Sequence, residues 1–299
     1  MNFDIIIIGG GITGLCLAHQ LLEKKITNNI LIIDKEKELG AHTSGRNSGV
    51  MHAGLYYKPG TTKAKICTRG KQRLEEWVKE RKLPINHCGK IVVPTKPELD
   101  SQLDVLESRG KANGAVIEMW DSVQLKAFDP NIASASGRCL WSPNTSVIKP
   151  IRVVEALQKE LTTRGVTFGL GLSEWKPDVI KNKLELSDGT QIHYGHLFNC
   201  SGLFADKVAH LFGIGLEYSL MPFKGVYWQL KKNCPIKPKS NVYPVPDLSV
   251  PFLGVHFTRT INRDIECGPN AVLAWSREGY NKMDINFNHL IDYVFFKGF

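Results

Sequence analysis

Three glycines near the start of the chain have the spacing of a phosphate-binding turn. Gly9, Gly11 and Gly14 follow an unbroken apolar run and lead directly into a helical pattern. Glycine permits a tight turn at the first position, close approach of the backbone to a pyrophosphate at the second, and close packing of helix on strand at the third. The anion would lie on the unpaired amides at the start of the helix. The pattern therefore predicts a dinucleotide-binding turn.

An acidic residue follows this turn at the distance where the ribose of a dinucleotide would lie. Asp34 ends a second apolar run that begins at Ile30. Its carboxylate can accept a hydrogen bond from a ribose hydroxyl and would repel a 2′-phosphate, which favours FAD or NAD over NADP. A glycine cluster alone also marks ordinary turns, but the preceding strand, the following helix and the acid together favour the dinucleotide.

A second glycine-rich stretch, residues 41–57, follows within a few residues. It combines small and polar residues with His42, Arg46 and His52, and apolar residues enter only near its end. Such a segment can wrap closely around a ligand. An ordinary surface loop is the alternative, but it does not explain why these residues come so soon after the nucleotide turn. We therefore interpret the stretch as a ligand-binding loop.

A third turn joins an apolar strand pattern to a helical one. The sequence Asn199-Cys200-Ser201-Gly202 stands at this junction. Bare backbone at the end of a strand offers a second place where a cofactor could bind. A plain strand-to-helix turn is the alternative.

The hydrophobic pattern predicts the elements that must hold these turns. A run of β-branched residues at 4–8 predicts a strand buried on both faces, and a helix and a second strand follow it. Alternating segments separated by Pro, Asn and Gly after residue 215 predict an antiparallel sheet. We expect strands at 4–8, 30–34, 88–94, 166–170, 225–230, 241–246, 252–258 and 265–268, a pair of short strands that turn at 187–189, and an apolar strand from 196 that ends at Cys200. The expected helices lie at 15–25, 63–82, 98–113 and from 151.

Composition and charge bound the class of protein. The chain has 299 residues, of which 42% are hydrophobic and 22% charged, as in globular proteins with one large or two moderate cores. A formal charge of +9 is compatible with acidic substrates, an anionic membrane surface or nucleic acid. The basic residues are scattered as short pairs, which argues against a nucleic-acid site.

Cysteine usage and the first residues indicate the compartment. The 7 cysteines are widely spread and include no Cys-x-x-Cys pair, so we expect reduced thiols without a disulfide framework or a zinc site. The first apolar stretch is broken by Asp4 and the glycines, which argues against a signal peptide or a membrane span. We predict a cytoplasmic protein, soluble or peripheral at the inner membrane.

The last residues of the chain are unusually apolar. Phe287, Leu290, Ile291, Val294 and Phe295 fall at helical spacing. Such a surface needs something to cover it, and we expect the fold to continue beyond residue 299.

Taken together, these motifs resemble one family, the L-2-hydroxyglutarate oxidase (dehydrogenase) family within the D-amino-acid oxidase superfamily of FAD enzymes. The resemblance spans essentially the whole chain. The family's C-terminal part has no counterpart in this sequence. It is carried by the glycine turn, by His42-Thr43-Ser44-Gly45-Arg46-Asn47-Ser48-Gly49, by His52-Ala53-Gly54-Leu55-Tyr56-Tyr57, by residues 199–202 and by residues 254–271.

The resemblance implies oxidation of a 2-hydroxy acid to a 2-oxo acid, with the hydride passing to FAD and the electrons onward to a quinone-type acceptor or oxygen. It also implies an α/β fold, in which a Rossmann-like FAD-binding domain (1–82 and 150–212) is interleaved with a mainly antiparallel, α+β substrate domain (83–149 and 213–299). The residues it assigns to the cofactor are Gly9, Gly11, Gly14 and Asp34 for the adenosine diphosphate part, Ser44, Arg46, Asn47, Ser48 and Gly49 for the pyrophosphate and the approach to the flavin, and Ser201 and Gly202 for a second cofactor turn.

Oxidation of a secondary alcohol needs a base for the hydroxyl proton and cations for the carboxylates. His52 and His256 are the candidate bases because the ordinary pKa of histidine lies near neutrality; a purely structural histidine is the alternative for each. The candidate substrate-binding residues are Lys224, Lys90 and Arg259, together with Tyr56 and Tyr243 for their hydroxyls; Arg277 is a further candidate.

Other functions fit the same nucleotide turn. The nearest rival is an FAD enzyme that oxidises an amino acid or a glycerol phosphate. A second rival is a non-catalytic, truncated flavoprotein fragment, which the apolar chain end suggests. No cluster of His, Asp and Glu in the sequence has metal-ligand spacing, and we expect no metal.

Overall fold

The chain folds into two compact units in a computed structural model that describes residues 1–246, 254–281, 283–287 and 289. Unit 1 comprises Met1–Asn47, Pro150–Lys224 and the described residues from Leu273 onward. Unit 2 comprises Ser48–Lys149 and Gly225–Val272. The predicted domain division differs from these units, because residues 48–82 belong by contact to unit 2 and residues 213–224 to unit 1. The assignment of a cofactor and a substrate domain stays a prediction.

The strands and helices have the following bounds in chain order. The strands are β1 (Asn2–Ile8), β2 (Ile30–Asp34), β3 (Val50–Met51), β4 (Ile85–Asn86), β5 (Lys90–Val93), β6 (Glu118–Trp120), β7 (Cys139–Ser142), β8 (Ser146–Ile148), β9 (Thr167–Leu170), β10 (Trp175–Asp178), β11 (Lys183–Leu186), β12 (Gln191–Asn199), β13 (Phe223–Lys224), β14 (Trp228–Gln229), β15 (Asn241–Pro244), β16 (His256–Arg259), β17 (Ile265–Gly268) and β18 (Val272–Leu273). The helices are α1 (Ile12–Glu23), α2 (Thr62–Glu80), α3 (Asp100–Ala112), α4 (Ser122–Phe128), α5 (Pro150–Thr163) and α6 (Ala205–Leu211), with 3₁₀ turns at Pro97–Leu99 and Gly202–Phe204.

Unit 1 is built on a six-stranded sheet in the order β10-β11-β12-β1-β2-β9. Strands β12, β1, β2 and β9 run parallel, and β10 and β11 extend the sheet in antiparallel fashion. Residues Ile5 to Ile8 are buried, as expected for a strand covered on both faces. The parallel strands place Gly9, Asp34 and Cys200 at their carboxyl ends, which is the edge where α/β sheets bind ligands.

Unit 2 contains a seven-stranded sheet in the order β14-β17-β16-β15-β5-β7-β6 and a small sheet of β3, β8 and β4. All neighbours in the larger sheet are antiparallel except β5 and β15. On one face Val92 and Tyr243 pack with Leu103 and Leu106 of α3. The opposite face packs Ile91 in a separate cluster. Lys90 lies two residues before Val92 and therefore shares the α3 face.

The predicted elements and the observed ones differ in three places. The first helix begins at Ile12, three residues before its predicted start. The predicted strand 225–230 is reduced to β14. Helix α4 was not predicted, because it buries only Leu125 and depends on a capping box between Asp121 and Gln124. Of the predicted strand 252–258, residues 252 and 253 lie outside the described residues.

Of the apolar residues near the end of the chain, Phe287 lies within the described part of the structure. The side chain of Phe287 is 74% exposed. Leu290, Ile291, Val294 and Phe295 lie outside the described residues. Among the described helices, none combines the length and the apolar character needed to cross a bilayer.

Candidate cofactor and active site

The glycine turn leaves no room for side chains where strand and helix meet. Gly9 has φ of 106°, and a Cβ there would lie 2.3 Å from the Cys200 carbonyl oxygen. A Cβ on Gly14 would lie 2.0 Å from the Gly9 carbonyl oxygen. The N-cap residue of α1 is Gly11, which has no side chain to accept from the amides that follow it. The first amides and the dipole of α1 therefore suit a diphosphate.

Two side chains brace this turn from outside. Ser44 Oγ accepts a hydrogen bond from the Ile12 amide at 2.9 Å. The Asp34 carboxylate accepts one from the Gly10 amide at 2.7 Å and one from the Glu36 amide at 2.9 Å. A carboxylate has about four acceptor sites, so Asp34 can hold the loop and still accept from a ribose hydroxyl.

A pocket of about 730 Å³ opens beside the turn, entirely within unit 1. This volume falls in the range of small-molecule and cofactor sites. The pocket brings together seven of the predicted cofactor residues, namely Gly9, Gly11, Asp34, Ser44, Asn47, Ser201 and Gly202. Its apolar walls, which the sequence did not reveal, include Leu172, Trp175, Phe204 and Leu211. Free helix amides, a carboxylate and apolar walls in one pocket fit a dinucleotide such as FAD.

Four predicted cofactor residues do not line this pocket. Gly14 packs behind it against Gly9. Arg46 donates from Nε to the Ala41 carbonyl at 2.7 Å, and its guanidinium lies 4.2 Å from the centre of the Tyr280 ring. Ser48 and Gly49 belong to unit 2.

A separate cluster in unit 2 brings together five predicted residues: His52, Tyr56, Lys90, Tyr243 and His256. The His256 ring stacks on the Tyr243 ring at 3.8 Å, and the His52 ring meets Tyr243 edge-on at 6.2 Å. The Lys90 ammonium donates to Tyr56 Oη at 3.3 Å and lies over both tyrosine rings, at 4.5 and 5.1 Å. We call these five residues the His–Lys cluster.

Lys90 is a fully buried cation without a matching anion. Its exposed fraction is 0%, and burial lowers its pKa to about 7. Within the described parts of the chain no carboxylate pairs with its ammonium, and Cys67 is the only group that raises its pKa. A buried charge is normally paired. Lys90 is therefore a buried amine of unit 2 that no described carboxylate neutralises.

The two histidines of the cluster are neutral near physiological pH. Burial lowers the pKa of His52 to about 3, and the charges of Lys90 and His256 add to this shift. Burial also lowers the pKa of His256, whose Nδ1 lies 2.9 Å from the Gly254 carbonyl oxygen. That contact places a proton on Nδ1 and leaves Nε2 as the acceptor. His52 Nδ1 is buried and finds no hydrogen-bond partner in the described structure.

Helix α3 holds the loop that carries His52 and Tyr56. Asn113 Nδ2 donates to the carbonyl oxygens of Gly54 and Tyr57, both at 2.9 Å. Arg109 donates to the Tyr56 carbonyl at 3.2 Å. The sequence analysis missed these two residues. Their only signal is that they fall at the end of a predicted helix.

Three predicted cations lie outside the His–Lys cluster. Arg259 is three residues from His256 on β16, so it points to the opposite sheet face, and it donates to the Pro238 carbonyl at 2.9 Å. Lys224 belongs to unit 1 and donates to the Asn281 carbonyl at 3.0 Å. Arg277 is 2% exposed and forms a bidentate pair with Asp206, so it is not available to a substrate carboxylate.

One group of side chains approaches metal-ligand spacing although the sequence predicted none. Glu36, His42 and Glu278 place one ligand atom each within 4.8 Å of the others. The Lys35 ammonium contacts both carboxylates. Because an ammonium already lies against both carboxylates, we describe the group as an ion-pair cluster, in which one positive charge faces two negative ones.

Comparison with known proteins identifies the class. Residues 4–292 match the family described as FAD dependent oxidoreductase, and the chain belongs to this family. The FAD cofactor and the α/β fold class predicted from the sequence are thereby confirmed. The structure of L-alpha-glycerophosphate oxidase from Mycoplasma pneumoniae with FAD bound has the same fold, with a TM-score of 0.77 at 21% identity over 95% of this chain and 76% of that one.

Within the family, the chain is similar to proteins named L-2-hydroxyglutarate dehydrogenase. The mitochondrial protein of Caenorhabditis elegans is 38% identical over 307 residues, which cover 99% of this chain and 70% of that protein. The protein of Indibacter alkaliphilus is 37% identical over 305 residues, covering 100% of this chain and 75% of that protein. The predicted family resemblance is confirmed.

Proposed function

We propose that this FAD-dependent oxidoreductase oxidises L-2-hydroxyglutarate to its 2-oxo acid. The observation that carries the proposal is the His–Lys cluster, in which a buried lysine without an anion lies with two neutral histidines. A 2-hydroxy acid offers both missing partners, since its carboxylate suits Lys90 and its hydroxyl proton suits a histidine nitrogen. The names of the relatives support a five-carbon dicarboxylate as this acid.

Lys90 is proposed to bind one carboxylate of the substrate. An ammonium away from water attracts an anion more strongly than a solvated one does, because the effective dielectric constant is lower. Tyr56 and Tyr243 restrict its position by their ring faces and by the Tyr56 hydroxyl. Tyr56 remains a neutral phenol because burial raises its pKa well above its usual value.

His52 is proposed to accept the hydroxyl proton. Its buried Nδ1 has no partner in the described structure, and a substrate hydroxyl would satisfy it. A pKa near 3 makes a weak base, but a bound carboxylate would offset the charge of Lys90 that contributes to this low value. Binding of the substrate thus moves His52 toward the pKa range of an effective general base. His256 is the alternative base, through Nε2.

Bound FAD supplies the two-electron acceptor for the hydride that leaves the carbon. Ser44, Asp34 and the first turn of α1 would hold its diphosphate and ribose. We further propose that the electrons pass on to a quinone-type acceptor or oxygen, and that a peripheral membrane contact would accompany a quinone. Reduction of a soluble quinone analogue, compared with oxygen consumption in the same preparation, distinguishes the two acceptors.

The test of the proposed function is anaerobic reduction of the bound flavin. L-2-hydroxyglutarate should bleach the flavin absorbance rapidly, whereas the D enantiomer, glycine and glycerol 3-phosphate should not. Rapid bleaching by glycine or glycerol phosphate would instead assign the protein to one of the rival activities. A flavin that none of these compounds reduces would indicate a non-catalytic flavoprotein.

The pKa of Lys90 predicts how catalysis depends on pH. Lys90 is charged below about pH 7 and neutral above it, and a dianionic substrate needs the charged form. We expect kcat/KM for L-2-hydroxyglutarate to fall as pH rises through about 7, because kcat/KM follows the ionisation of the free enzyme. His52 is neutral both below and above pH 7, so it should add no second change to the pH profile of kcat/KM in this range.

Two variants test whether Lys90 causes the fall in kcat/KM near pH 7. Lys90→Arg keeps a permanent charge and should remove the fall in kcat/KM above pH 7. Lys90→Met should lower kcat/KM by about 100-fold, which corresponds to a loss of about 2.7 kcal/mol of transition-state stabilisation. If the fall in kcat/KM above pH 7 persisted unchanged in Lys90→Arg, another group would be its cause.

A further inference from the structure

A short segment of unit 1, residues 277–280, contacts both walls of the cofactor pocket without lining it. One wall is the 35–42 stretch, of which Lys35, Glu36 and His42 line the pocket. The other wall is the 203–207 stretch, of which Leu203, Phe204 and Lys207 line it. The two walls are more than 160 residues apart in sequence, so something beyond the local chain must fix their spacing.

Arg277 holds the 203–207 wall. Its guanidinium donates to Asp206 Oδ1 at 2.5 Å and to Oδ2 at 2.6 Å, and also to the Leu203 carbonyl at 2.6 Å. Arg277 and Asp206 are 2% and 8% exposed. A bidentate pair of this kind is directional as well as strong. It fixes the start of α6 relative to the 277–280 segment.

Glu278 and Tyr280 hold the 35–42 wall. Glu278 contacts the Lys35 ammonium and lies 2.9 Å from His42 Nε2. Tyr280 Oη lies 2.9 Å from His42 Nδ1, and the two rings stack at 5.8 Å. The 277–280 segment therefore holds His42 Nδ1 through Tyr280, whereas Nε2 lies near Glu278 and is also 3.0 Å from Glu36 Oε1. The Lys35 ammonium also lies 5.3 Å from the Phe204 ring, which joins the two walls directly.

We propose that Arg277, Glu278 and Tyr280 are positioning residues for FAD, which set the distance between the two walls of its pocket. They act through Asp206, Lys35 and His42. A pocket fixed in its binding geometry loses less conformational entropy on binding, so the same contacts give a higher affinity. The proposal concerns the cofactor alone and does not depend on the identity of the substrate.

The experiment measures FAD affinity of the apoprotein by quenching of flavin fluorescence, together with thermal unfolding of the same apoprotein. Glu278→Gln should weaken FAD binding by about tenfold, because the neutral amide loses the charge shared with Lys35 and His42. Tyr280→Phe should weaken it by about threefold. The conservative Glu278→Asp should restore part of the loss.

A matched control is available on another surface of unit 1. His19 Nε2 and Glu160 Oε1 lie 3.0 Å apart, and neither residue lines the pocket. Glu160→Gln should leave FAD affinity within about twofold. The proposal is supported if Glu278→Gln lowers FAD affinity while the unfolding temperature of its apoprotein changes no more than that of Glu160→Gln.

Two results would overturn the proposal. One is an unchanged FAD affinity in both Glu278→Gln and Asp206→Asn, the variant that breaks the contact to the other wall. The other is a fall in FAD affinity that is proportional to the fall in the unfolding temperature of the apoprotein, with the same proportion in Glu278→Gln and in the control Glu160→Gln. Either result leaves the proposed oxidation of L-2-hydroxyglutarate intact, since that rests on the His–Lys cluster of unit 2.

Discussion

Gly11→Val should prevent stable FAD binding, with the dissociation constant for FAD raised by at least about 100-fold. Gly11 lines the pocket at the start of α1, and a Cβ there would lie 3.0 Å from Ser44 Oγ. The branched side chain would therefore push away the hydroxyl that holds the Ile12 amide, and would also occupy the approach of the diphosphate. The measurement is the flavin content of the purified variant and its titration with added FAD.

Gly70→Val is the control for this prediction. Gly70 lies in α2, and a Cβ there meets nothing within 4 Å. Valine at this position should leave flavin content normal. If Gly11→Val also retained a normal flavin content, the diphosphate could not lie on the start of α1, and the cofactor site would have to be sought elsewhere.

His52→Ala lowers kcat by about 10²- to 10⁴-fold, the usual contribution of a general base. Flavin content should stay unchanged, because His52 does not line the cofactor pocket. The measurement is the rate of flavin reduction in a single turnover, which separates chemistry from product release. His87→Ala, at a histidine whose side chain is 50% exposed, should leave that rate unaltered.

His256→Ala decides between the two candidate bases. The Tyr243 ring lies between them, stacked on His256 and edge-on to His52, so removal of His256 should reduce the rate moderately through lost packing. A large loss in His256→Ala together with a small one in His52→Ala would transfer the role of base to His256 Nε2.

The nucleotide turn was predictable because its signals are local. Gly9, Gly11 and Gly14 lie within one turn and one helix start, and Asp34 follows at the end of the next strand. The bonds by which Asp34 braces the loop were not predictable, since its contacts with the Gly10 and Glu36 amides depend on how the loop folds back.

The His–Lys cluster was predictable in its members but not in its arrangement. Lys90 and Tyr243 meet because β5 and β15 pair in parallel, with Lys90 opposite Asn241. No short-range pattern specifies that pairing. The position of Arg259 could have been inferred, because residues three apart on a strand point to opposite faces. The partner of Arg277 lies 71 residues away, and nothing local indicates it.

The hydrogen bonds from Asn113 to residues 54 and 57 affect which substitutions the 54–57 loop tolerates. Asn113 donates hydrogen bonds to backbone carbonyl oxygens, and every residue of a protein chain has a backbone carbonyl group. Neither attachment therefore depends on which side chain follows it, although the φ of 90° at Gly54 and the burial of Leu55 still restrict the loop. Changing Asn113 itself releases two attachments at once, so the shape of the loop depends on the C-cap residue of α3, which lies 59 and 56 residues downstream of the two carbonyl groups.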